Sequence, residues 1–267
     1  MTDETYEVLA IKYGEHSARQ RFESFIAADD HAGPHPIDYF VWVIRNAART
    51  IVVDTGFDAA EGAKRGRRVA RTPEQALAQI GIEAGSVETL VVTHLHYDHA
   101  GTLASFPKAR FHLQAAEMAY ATGPCMCHAH LRTPFTADHV CEMVRNVYSG
   151  RVQFHDGDAE IAPGVTVHKI GGHSRGLQCV RVPTASGPVV LASDSSHYYE
   201  NFEKGKVFPI TIDIEDVLKG YTRLQALAGS PRRIVPGHDP LVLQRYPALN
   251  AQTQGIVHRL DVARLDA

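Results

Sequence analysis

The sequence predicts a layered α/β protein that forms a single domain, with helices covering sheets. Three observations predict this class. Short runs of β-branched and aromatic residues, typical of strands, recur in both halves of the chain. Segments with helix capping signals separate groups of these runs. No repeat, low-complexity tract or linker rich in Pro, Gly and Ser divides the 267 residues. Alternation of this kind favours sheets covered by helices, so residues 1–267 are expected to be one domain.

The first half contains four predicted strands and three predicted helices. The strands are "YEVLAIKYG", "YFVWVI", "TIVVDTG" and "ETLVVT". The segment "RTPEQALAQIGI" is predicted to be helical because Thr72 can cap it, Pro73 suits its first position and Gly81 can end it. The segments "AEMAYATG" and "TADHVCEMVRNVYSG" are predicted to be two further helices, the second ending at Gly150.

The second half alternates in the same way. Its predicted strands are "GVTVHKI", "LQCVRV", "PVVLAS" and "RRIV". The segment "IEDVLKGYTRLQALAG" is predicted to be a helix capped by Asp213. Its apolar residues are spaced as a single helix face, formed by Ile214, Val217, Leu218, Tyr221 and Leu224.

Composition excludes several classes of protein. A net charge of −3 gives no general attraction to nucleic acid or to an anionic membrane. No apolar run approaches the roughly 20 residues that span a bilayer, and the start lacks the apolar region of a secretory signal. The four cysteines are therefore expected to be reduced thiols of a cytoplasmic protein. The 16 histidines are the unusual feature.

The stretch "THLHYDHAG" concentrates four metal-binding side chains, those of His94, His96, Asp98 and His99. A core could not bury three imidazoles and a carboxylate without partners, since that would cost several kcal/mol. The stretch therefore indicates a bound ligand.

The other candidate ligands also follow apolar runs. His94, His173, Asp194 and His238 each come just after a predicted strand. Loops at strand ends converge above a sheet, so these side chains are expected to meet in one crevice. The glycines before the imidazoles, Gly171, Gly172 and Gly237, allow the sharp turns that this requires.

The residue types indicate a site for two metal ions. His94, His96 and His173 can give one zinc three neutral nitrogens and leave a position open for water. A second ion can be held by Asp98, His99 and His238, with Asp194 between the two ions. We expect two Zn²⁺, although manganese, iron and cobalt accept the same ligands. A hydroxide between two such ions would be available near neutral pH as a nucleophile.

This ligand set resembles the metallo-β-lactamase superfamily. His94 to His99 match its H-x-H-x-D-H signature, and the segments "GGHS", "ASD" and "PGH" match its later ligands in the same order. The segment "VDTG" is similar to the family motif whose aspartate, here Asp54, supports the site. The resemblance covers nearly the whole chain and implies an αββα sandwich, two sheets back to back between helical layers.

Within that superfamily, "SDSSHYYENFE" resembles N-acyl-homoserine lactonases. Those enzymes place a tyrosine three residues after the bridging aspartate, whereas this chain has His197 there and Tyr198 one step later. The resemblance implies opening of a lactone ring, foremost that of an N-acyl-homoserine lactone, with His197 or Tyr198 binding the substrate and polarising its carbonyl. Asp98 is expected to carry a proton to the departing oxygen. A homodimer is a family-level expectation.

Two other interpretations of the site remain open. The chain could hydrolyse another small lactone, an ester, or a thioester as glyoxalase II does. It could also be a metal-dependent binding protein without turnover, which stoichiometric binding of a ligand would reveal.

The remaining cysteines, histidines and basic residues have ordinary interpretations. "CMCHAH", with Cys125, Cys127, His128 and His130, is expected to pack in a cap near the pocket rather than to bind metal. Cys141 and Cys179 are expected to be small core residues. His31 and His35 are interpreted as loop histidines, and "KRGRRVAR" at 64–71 as a solvated basic loop rather than an RNA-binding surface. The loops at 22–38 and 120–150 are expected to determine acyl-chain preference.

Overall fold

The structure is a computed structural model and describes residues 4–27 and 32–266. Its strands are β1 (Glu7–His16), β2 (Ile37–Arg45), β3 (Thr50–Val53), β4 (Arg68–Val69), β5 (Thr89–Val91), β6 (Arg110–Gln114), β7 (Val152–His155), β8 (Ala159–Ala162), β9 (Val165–Lys169), β10 (Gln178–Val182), β11 (Val189–Ser193), β12 (Ile234–Pro236) and β13 (Val257–Arg259). Its helices are α1 (Ala59–Lys64), α2 (Pro73–Ala78), α3 (Ala115–Ala121), α4 (Ala129–Arg132), α5 (Ala137–Tyr148), α6 (Tyr199–Lys204), α7 (Ile214–Ala228) and α8 (Leu241–Arg245).

The strands form two sheets. The first has the order β13-β1-β2-β3-β5-β6-β7, with β4 paired to β1, and the second has the order β12-β11-β10-β9-β8. Strands β3, β5, β6 and β7 run parallel to one another, as do β11 and β12. Parallel neighbours deliver the loops that follow them to the same edge, and the site is built at such an edge.

Side-chain alternation in β2 shows why the sheets form a sandwich. Phe40 and Trp42 pack with residues of the second sheet such as Leu191, whereas Val41 and Val43 pack on the opposite face with residues of the covering helices. Successive side chains of a strand point to opposite faces, so a strand that is apolar at every position must be covered on both sides. The predicted αββα sandwich of a single domain is confirmed.

All eight predicted strands and all four predicted helices are present, with shifted ends. Thr72 caps α2 with a reciprocal bond to Gln75, as its sequence suggests, but the helix ends at Ala78 and reaches Gly81 by a turn. The short strands β4, β6, β7, β8 and β13 were not predicted. Among the described residues, no helix is both long and apolar enough to cross a membrane.

The predicted apolar face of α7 is partly wrong. Ile214 and Leu218 are 50% and 43% exposed, and the buried side chains are those of Val217, Tyr221, Leu224 and Ala228. The buried face of α7 is therefore narrower than the predicted set of five apolar residues, because only the side chains that face the second sheet are covered.

The two cysteines that were expected in the core have different positions. Cys179 in β10 is buried, as predicted, but Cys141 is exposed. The rotation of α5 turns Val140 and Met143 inward, which leaves Cys141 facing solvent. The prediction for Cys141 was wrong.

Candidate metal centre

The seven predicted ligands lie together at one edge of the sandwich. β5 leads into the loop that carries His94 to His99, β11 ends directly before Asp194, and β12 ends two residues before His238. His173 lies in the turn between β9 and β10. All seven side chains are buried, namely those of His94, His96, Asp98, His99, His173, Asp194 and His238.

Three imidazoles converge on one point. His173 Nε2 lies 3.2 Å from His94 Nε2 and 2.8 Å from His96 Nδ1. Nitrogens bound to a tetrahedral zinc at about 2.0–2.1 Å stand roughly 3.3 Å from one another, so this spacing is close to that of a zinc site. These three side chains could hold one ion.

A second group of side chains lies beside the first, and Asp194 faces both. Asp194 Oδ1 is 3.2 Å from His99 Nε2 and 3.0 Å from His238 Nε2. Its other oxygen, Oδ2, is 3.3 Å from His173 Nε2. Asp98 completes the second group, with Oδ2 3.7 Å from His238 Nε2. One carboxylate thus offers an oxygen to each group, the arrangement that a bridging ligand needs.

Hydrogen bonds behind the imidazoles fix which nitrogen is free to bind. His173 Nδ1 donates to the carbonyl of Ile210 at 2.6 Å, and His238 Nδ1 donates to the carbonyl of Asp38 at 2.9 Å. A carbonyl can only accept, so the proton must be on Nδ1 and the lone pair on Nε2 points into the site. His99 Nδ1 is held in the same way by Asp54 Oδ2 at 2.7 Å. Such partners orient metal ligands and raise their basicity.

Asp54 supports the ligand loop, as the resemblance implies. It accepts hydrogen bonds from the backbone and the hydroxyl of Thr93 at 2.7 and 2.8 Å. Asp54 and Ser193 have φ of 62° and 47°, a left-handed backbone that few residues other than glycine adopt. Strained backbone of this kind is concentrated at functional sites, where the surrounding contacts must hold it in place.

Gly237 permits the close approach of two strand ends. A Cβ atom at this position would lie 2.7 Å from Asp194 Oδ1 and 2.8 Å from the backbone of Ser193. Only glycine allows β12 to deliver His238 this close to Asp194.

The charges of the site also suit metal ions. Burial lowers the pKa of His94 and His96 well below the ordinary value and that of His173 to about 3, so these imidazoles are neutral, the form that binds metal. Burial also lowers the pKa of His99, but Asp194 and Asp54 outweigh it, and the pKa of His99 lies well above the ordinary value. The carboxylates therefore favour a positive charge between them.

Two buried atoms of the site, His99 Nε2 and Asp194 Oδ1, lie 3.2 Å apart. Among the described residues, neither of them forms a hydrogen bond of good geometry. Buried polar atoms are rarely left without a partner, and both of these point to the centre of the second group. Taken together with the converging nitrogens, this shows that the residues present fit a dinuclear metal site.

The site opens into a cleft of about 260 Å³. This volume is slightly below the usual range for drug-sized ligands, roughly 300–1,000 Å³, and favours a small substrate. His197 and Asp98 line the cleft, as predicted. His197 stacks on Phe208 at 3.9 Å, and its Nε2 lies 3.0 Å from Asp194 Oδ2.

The structure does not bring Tyr198 to the cleft. Its hydroxyl donates to the carbonyls of His35 and Pro36 at 3.1 and 3.3 Å, and its ring stacks on His35 at 4.0 Å. His35 thus packs as a loop residue, and His31 lies outside the described residues.

The "CMCHAH" segment forms part of a cap beside the cleft. His130 and Leu131 line the cleft, whereas Cys127 and His128 are exposed. Within residues 4–27 and 32–266, the groups of side chains placed to hold a metal include neither Cys125 nor Cys127.

Sequence reasoning missed Glu117, which is fully buried behind the ligands. Its carboxylate accepts from the backbone of Leu95 at 3.0 Å, the hydroxyl of Ser174 at 2.7 Å and the backbone of Gly176 at 2.9 Å. It thereby ties the loop of His94 and His96 to that of His173. An acidic residue in the first turn of a helix is usually a solvated charge, so the sequence carries no signal of this contact.

The basic segment at 64–71 is only partly a solvated loop. Lys64 and Arg68 are exposed, but Arg65 and Arg67 line the cleft, together with Arg19. The interpretation of the whole segment as solvated was therefore wrong.

Comparisons with known proteins agree with this geometry. An N-acyl homoserine lactonase of a Bacillus species is 30% identical over 167 residues, which cover 61% of this chain and 60% of that protein. The match thus spans less than two thirds of the relative's length. A crystal structure of a quorum-quenching N-acyl homoserine lactone lactonase superposes with a TM-score of 0.74 at 24% identity, covering 89% of this chain and 94% of the other.

A second solved structure is that of an N-acyl homoserine lactone hydrolase with the product N-hexanoyl-L-homoserine bound at its catalytic metal centre. It has a TM-score of 0.72 at 24% identity and covers 88% of this chain and 94% of the other. At this level of identity both structures establish the fold. Residues 36–238, which include all seven predicted ligands, match the family model of the metallo-β-lactamase superfamily. The chain belongs to that superfamily.

Proposed function

We propose that the protein is a dinuclear zinc hydrolase that opens a lactone ring, with N-acyl homoserine lactones as its substrates. The observation that carries this proposal is the position of Asp194, one oxygen toward each group of ligands, at the base of a small open cleft. The activity of the Bacillus relative supports the choice of substrate.

The chemistry requires a nucleophile and a means of stabilising negative charge. Two zinc ions held by the seven ligands would supply both, because zinc lowers the pKa of bound water to about 7 and polarises a carbonyl. The protein's part is to orient the ligands through Asp54, Glu117 and the carbonyls of Ile210 and Asp38, so that little reorganisation is needed during the reaction.

His197 is the side chain that we assign to the substrate carbonyl. It lies at the cleft wall and is held by Phe208 and Asp194, whereas the hydroxyl of Tyr198 is bound to backbone carbonyls. Asp98 also lies at the cleft, where it can pass a proton to the oxygen that leaves the ring. The overall reaction converts one ester and one water into a hydroxyl group, a carboxylate and a released proton.

Replacement of a ligand tests the proposal. His96→Ala removes one of the three nitrogens that would hold the first ion. Even the loss of a hydrogen-bond partner of a ligand lowers metal affinity or activity roughly 10–100-fold in such sites. We expect the variant to bind fewer metal ions and kcat/KM to fall at least about 100-fold. The measurement is proton release from short-chain and long-chain acyl-homoserine lactones, with a thioester and an aryl ester in parallel, alongside elemental analysis.

Each outcome has a definite meaning. Metal-dependent opening of the homoserine lactones supports the proposal, and turnover of only the thioester or aryl ester moves the protein to another hydrolase class. A His96→Ala variant with two metals and full activity would contradict the assignment of the site.

A further inference from the structure

Three arginines line the cleft, and among the residues that the structure describes only Arg65 has a charged partner. Arg65 forms an ion pair with Glu61 at 2.5 Å and lies over the ring of Tyr97 at 4.0 Å. It also donates to the carbonyl of Thr133 at 2.9 Å, which ties the cap to α1. The charge of Arg65 is thus compensated, and its role is structural.

Arg67 is fixed in position by the sheet. The next residue, Arg68, begins β4 and pairs with Glu15 of β1. Because side chains alternate along extended chain, Arg68 points to solvent, with its side chain 73% exposed, while Arg67 points into the cleft. This position is held by backbone pairing rather than by a mobile loop.

The known partners of the Arg67 guanidinium are all neutral groups. One of its terminal nitrogens lies 3.2 Å from His16 Nε2, and it interacts with the hydroxyls of Tyr39 and Tyr97. Its Nε is buried and has no hydrogen-bond partner in the described part of the chain. Among residues 4–27 and 32–266, no carboxylate oxygen lies within 4.0 Å of this side chain.

Arg19 shows the same pattern. Its guanidinium donates to the Ser24 hydroxyl at 3.3 Å and to the backbone carbonyl of Glu23 at 2.6 Å. Arg19 and His197 line the same cleft. Burial lowers the pKa of His197, and the charge of Arg19 also acts to lower it. Within the described part of the chain Arg19 forms no ion pair within 4.0 Å, and its side chain lines the cleft.

Arg19 and Arg67 both line the cleft. A terminal nitrogen of Arg67 lies 3.2 Å from His16 Nε2, and Arg19 follows His16 closely in the sequence. Burial lowers the pKa of His16, the charges of Arg67 and Arg19 lower it further, and the charge of Glu23 raises it. Two like charges in a partly buried cleft repel each other unless an anion binds between them. The rest of the wall is largely apolar, with Leu131, Pro134, Ile210 and Ile212.

We infer that Arg19 and Arg67 form a subsite for a carboxylate carried by the substrate, in addition to the ester that is hydrolysed. The inference rests on the proposed lactonase function and refines it, since the substrate class becomes lactones with an anionic substituent. Guanidinium groups bind carboxylates through paired hydrogen bonds, which gives geometric selection as well as attraction.

Matched pairs of substrates test this subsite. N-adipoyl and N-adipamoyl homoserine lactone differ only in a terminal carboxylate or amide on the acyl chain. The 5-carboxylate and 5-carboxamide of γ-butyrolactone place the same difference on the ring. Because hydrogen bonds to ionised groups are roughly twice as strong as those between neutral groups, we expect kcat/KM to favour the carboxylate of at least one pair by about 10-fold or more.

The variants Arg67→Gln and Arg19→Gln should each reduce that preference about 10-fold, and Arg67→Lys should keep part of it. Arg68→Gln removes one positive charge at the exposed neighbouring position and should leave the preference unchanged. The preference should also decline as salt is raised.

Calorimetry provides a test that does not depend on turnover. Ring-opened N-adipoyl-homoserine should bind the metal-loaded protein about 10-fold more tightly than its adipamoyl counterpart, and Arg67→Gln should abolish the difference. If no lactone is hydrolysed but this difference is found, the lactonase proposal fails and the anion subsite stands. Equal kcat/KM within both pairs together with equal binding, or a preference that survives both arginine substitutions, would overturn the subsite.

Discussion

At the scale of single residues, the candidate site depends on the groups behind the ligands as much as on the ligands. His99 presents Nε2 to the site because Asp54 holds Nδ1, and His173 does so because the carbonyl of Ile210 holds it. Glu117 also lies behind the predicted ligands, but its carboxylate accepts hydrogen bonds from backbone N–H groups. It thereby joins two ligand loops that are distant in sequence.

Substitution of Glu117 tests this role. Glu117→Gln keeps the size of the side chain but turns one acceptor oxygen into a donor facing N–H and O–H groups, a buried mismatch that costs about 1–3 kcal/mol. We expect the free energy of unfolding to fall by that amount and metal affinity to fall roughly 10–100-fold. Urea unfolding and chelator competition measure the two effects.

The exposed Glu88 provides the matched control. Glu88→Gln should change neither stability nor metal affinity. If Glu117→Gln reduced stability but left metal affinity intact, Glu117 would be a core residue without influence on the ligands.

At the scale of secondary structure elements, α7 shows how packing selects one line from a wider apolar face. Leu224 is fully buried against the second sheet, whereas Leu218, in the same helix, is 43% exposed. Because both residues are leucines of the same helix, substituting each of them compares the effect of burial without a change of residue type.

Leu224→Ala should lower the free energy of unfolding by about 2–5 kcal/mol, because it removes buried contacts and leaves a cavity. Leu218→Ala should lower it by less than about 1 kcal/mol. Denaturant unfolding of both variants measures the difference, and equal losses would show that the helix is packed differently.

The paired strands β6 and β7 carry an acid-sensitive contact. His112 and His155 stack with ring planes 8° apart, and His112 Nδ1 lies 3.0 Å from His155 Nε2. Burial first, and then the neighbouring His155 and Arg110, lower the pKa of His112 to about 4. The folded state therefore favours the neutral form, while the unfolded chain takes up a proton below about pH 6.5.

Stability should consequently fall as pH decreases from about 6.5 to 4, by up to roughly 3 kcal/mol from this residue. His112→Gln should remove that part of the acid sensitivity, whereas His128→Gln, at an exposed position, should not. Urea midpoints at pH 7 and pH 4.5 measure the effect, and an unchanged pH slope in His112→Gln would show that the contact is not what senses acid.

At the scale of the whole molecule, the sequence predicted the parts that depend on local pattern. The H-x-H-x-D-H motif and the ligands after strands could be identified because each lies within a few residues of a strand end. The αββα sandwich followed from the resemblance that those ligands carry, and the structure confirms it.

The contacts between distant segments could not be predicted in this way. Glu117 and Arg67 reach the site only because β4 pairs with β1 and α3 packs behind the ligand loops. The direction of Tyr198 depends on where α6 begins, since Tyr198 precedes the first turn and points toward His35. A side chain's position next to a ligand in sequence does not determine which side of the backbone it occupies.

The dependence of lactone opening on bound metal tests the central claim most directly. Protein stripped with a chelator would be titrated with zinc, and ring opening of the lactone turned over fastest in the substrate panel would be followed by proton release. We predict no turnover without metal and a rise that is complete at two equivalents per chain, with His96→Ala failing to recover. Full turnover by the stripped protein, or a plateau at one equivalent, would contradict a dinuclear hydrolase.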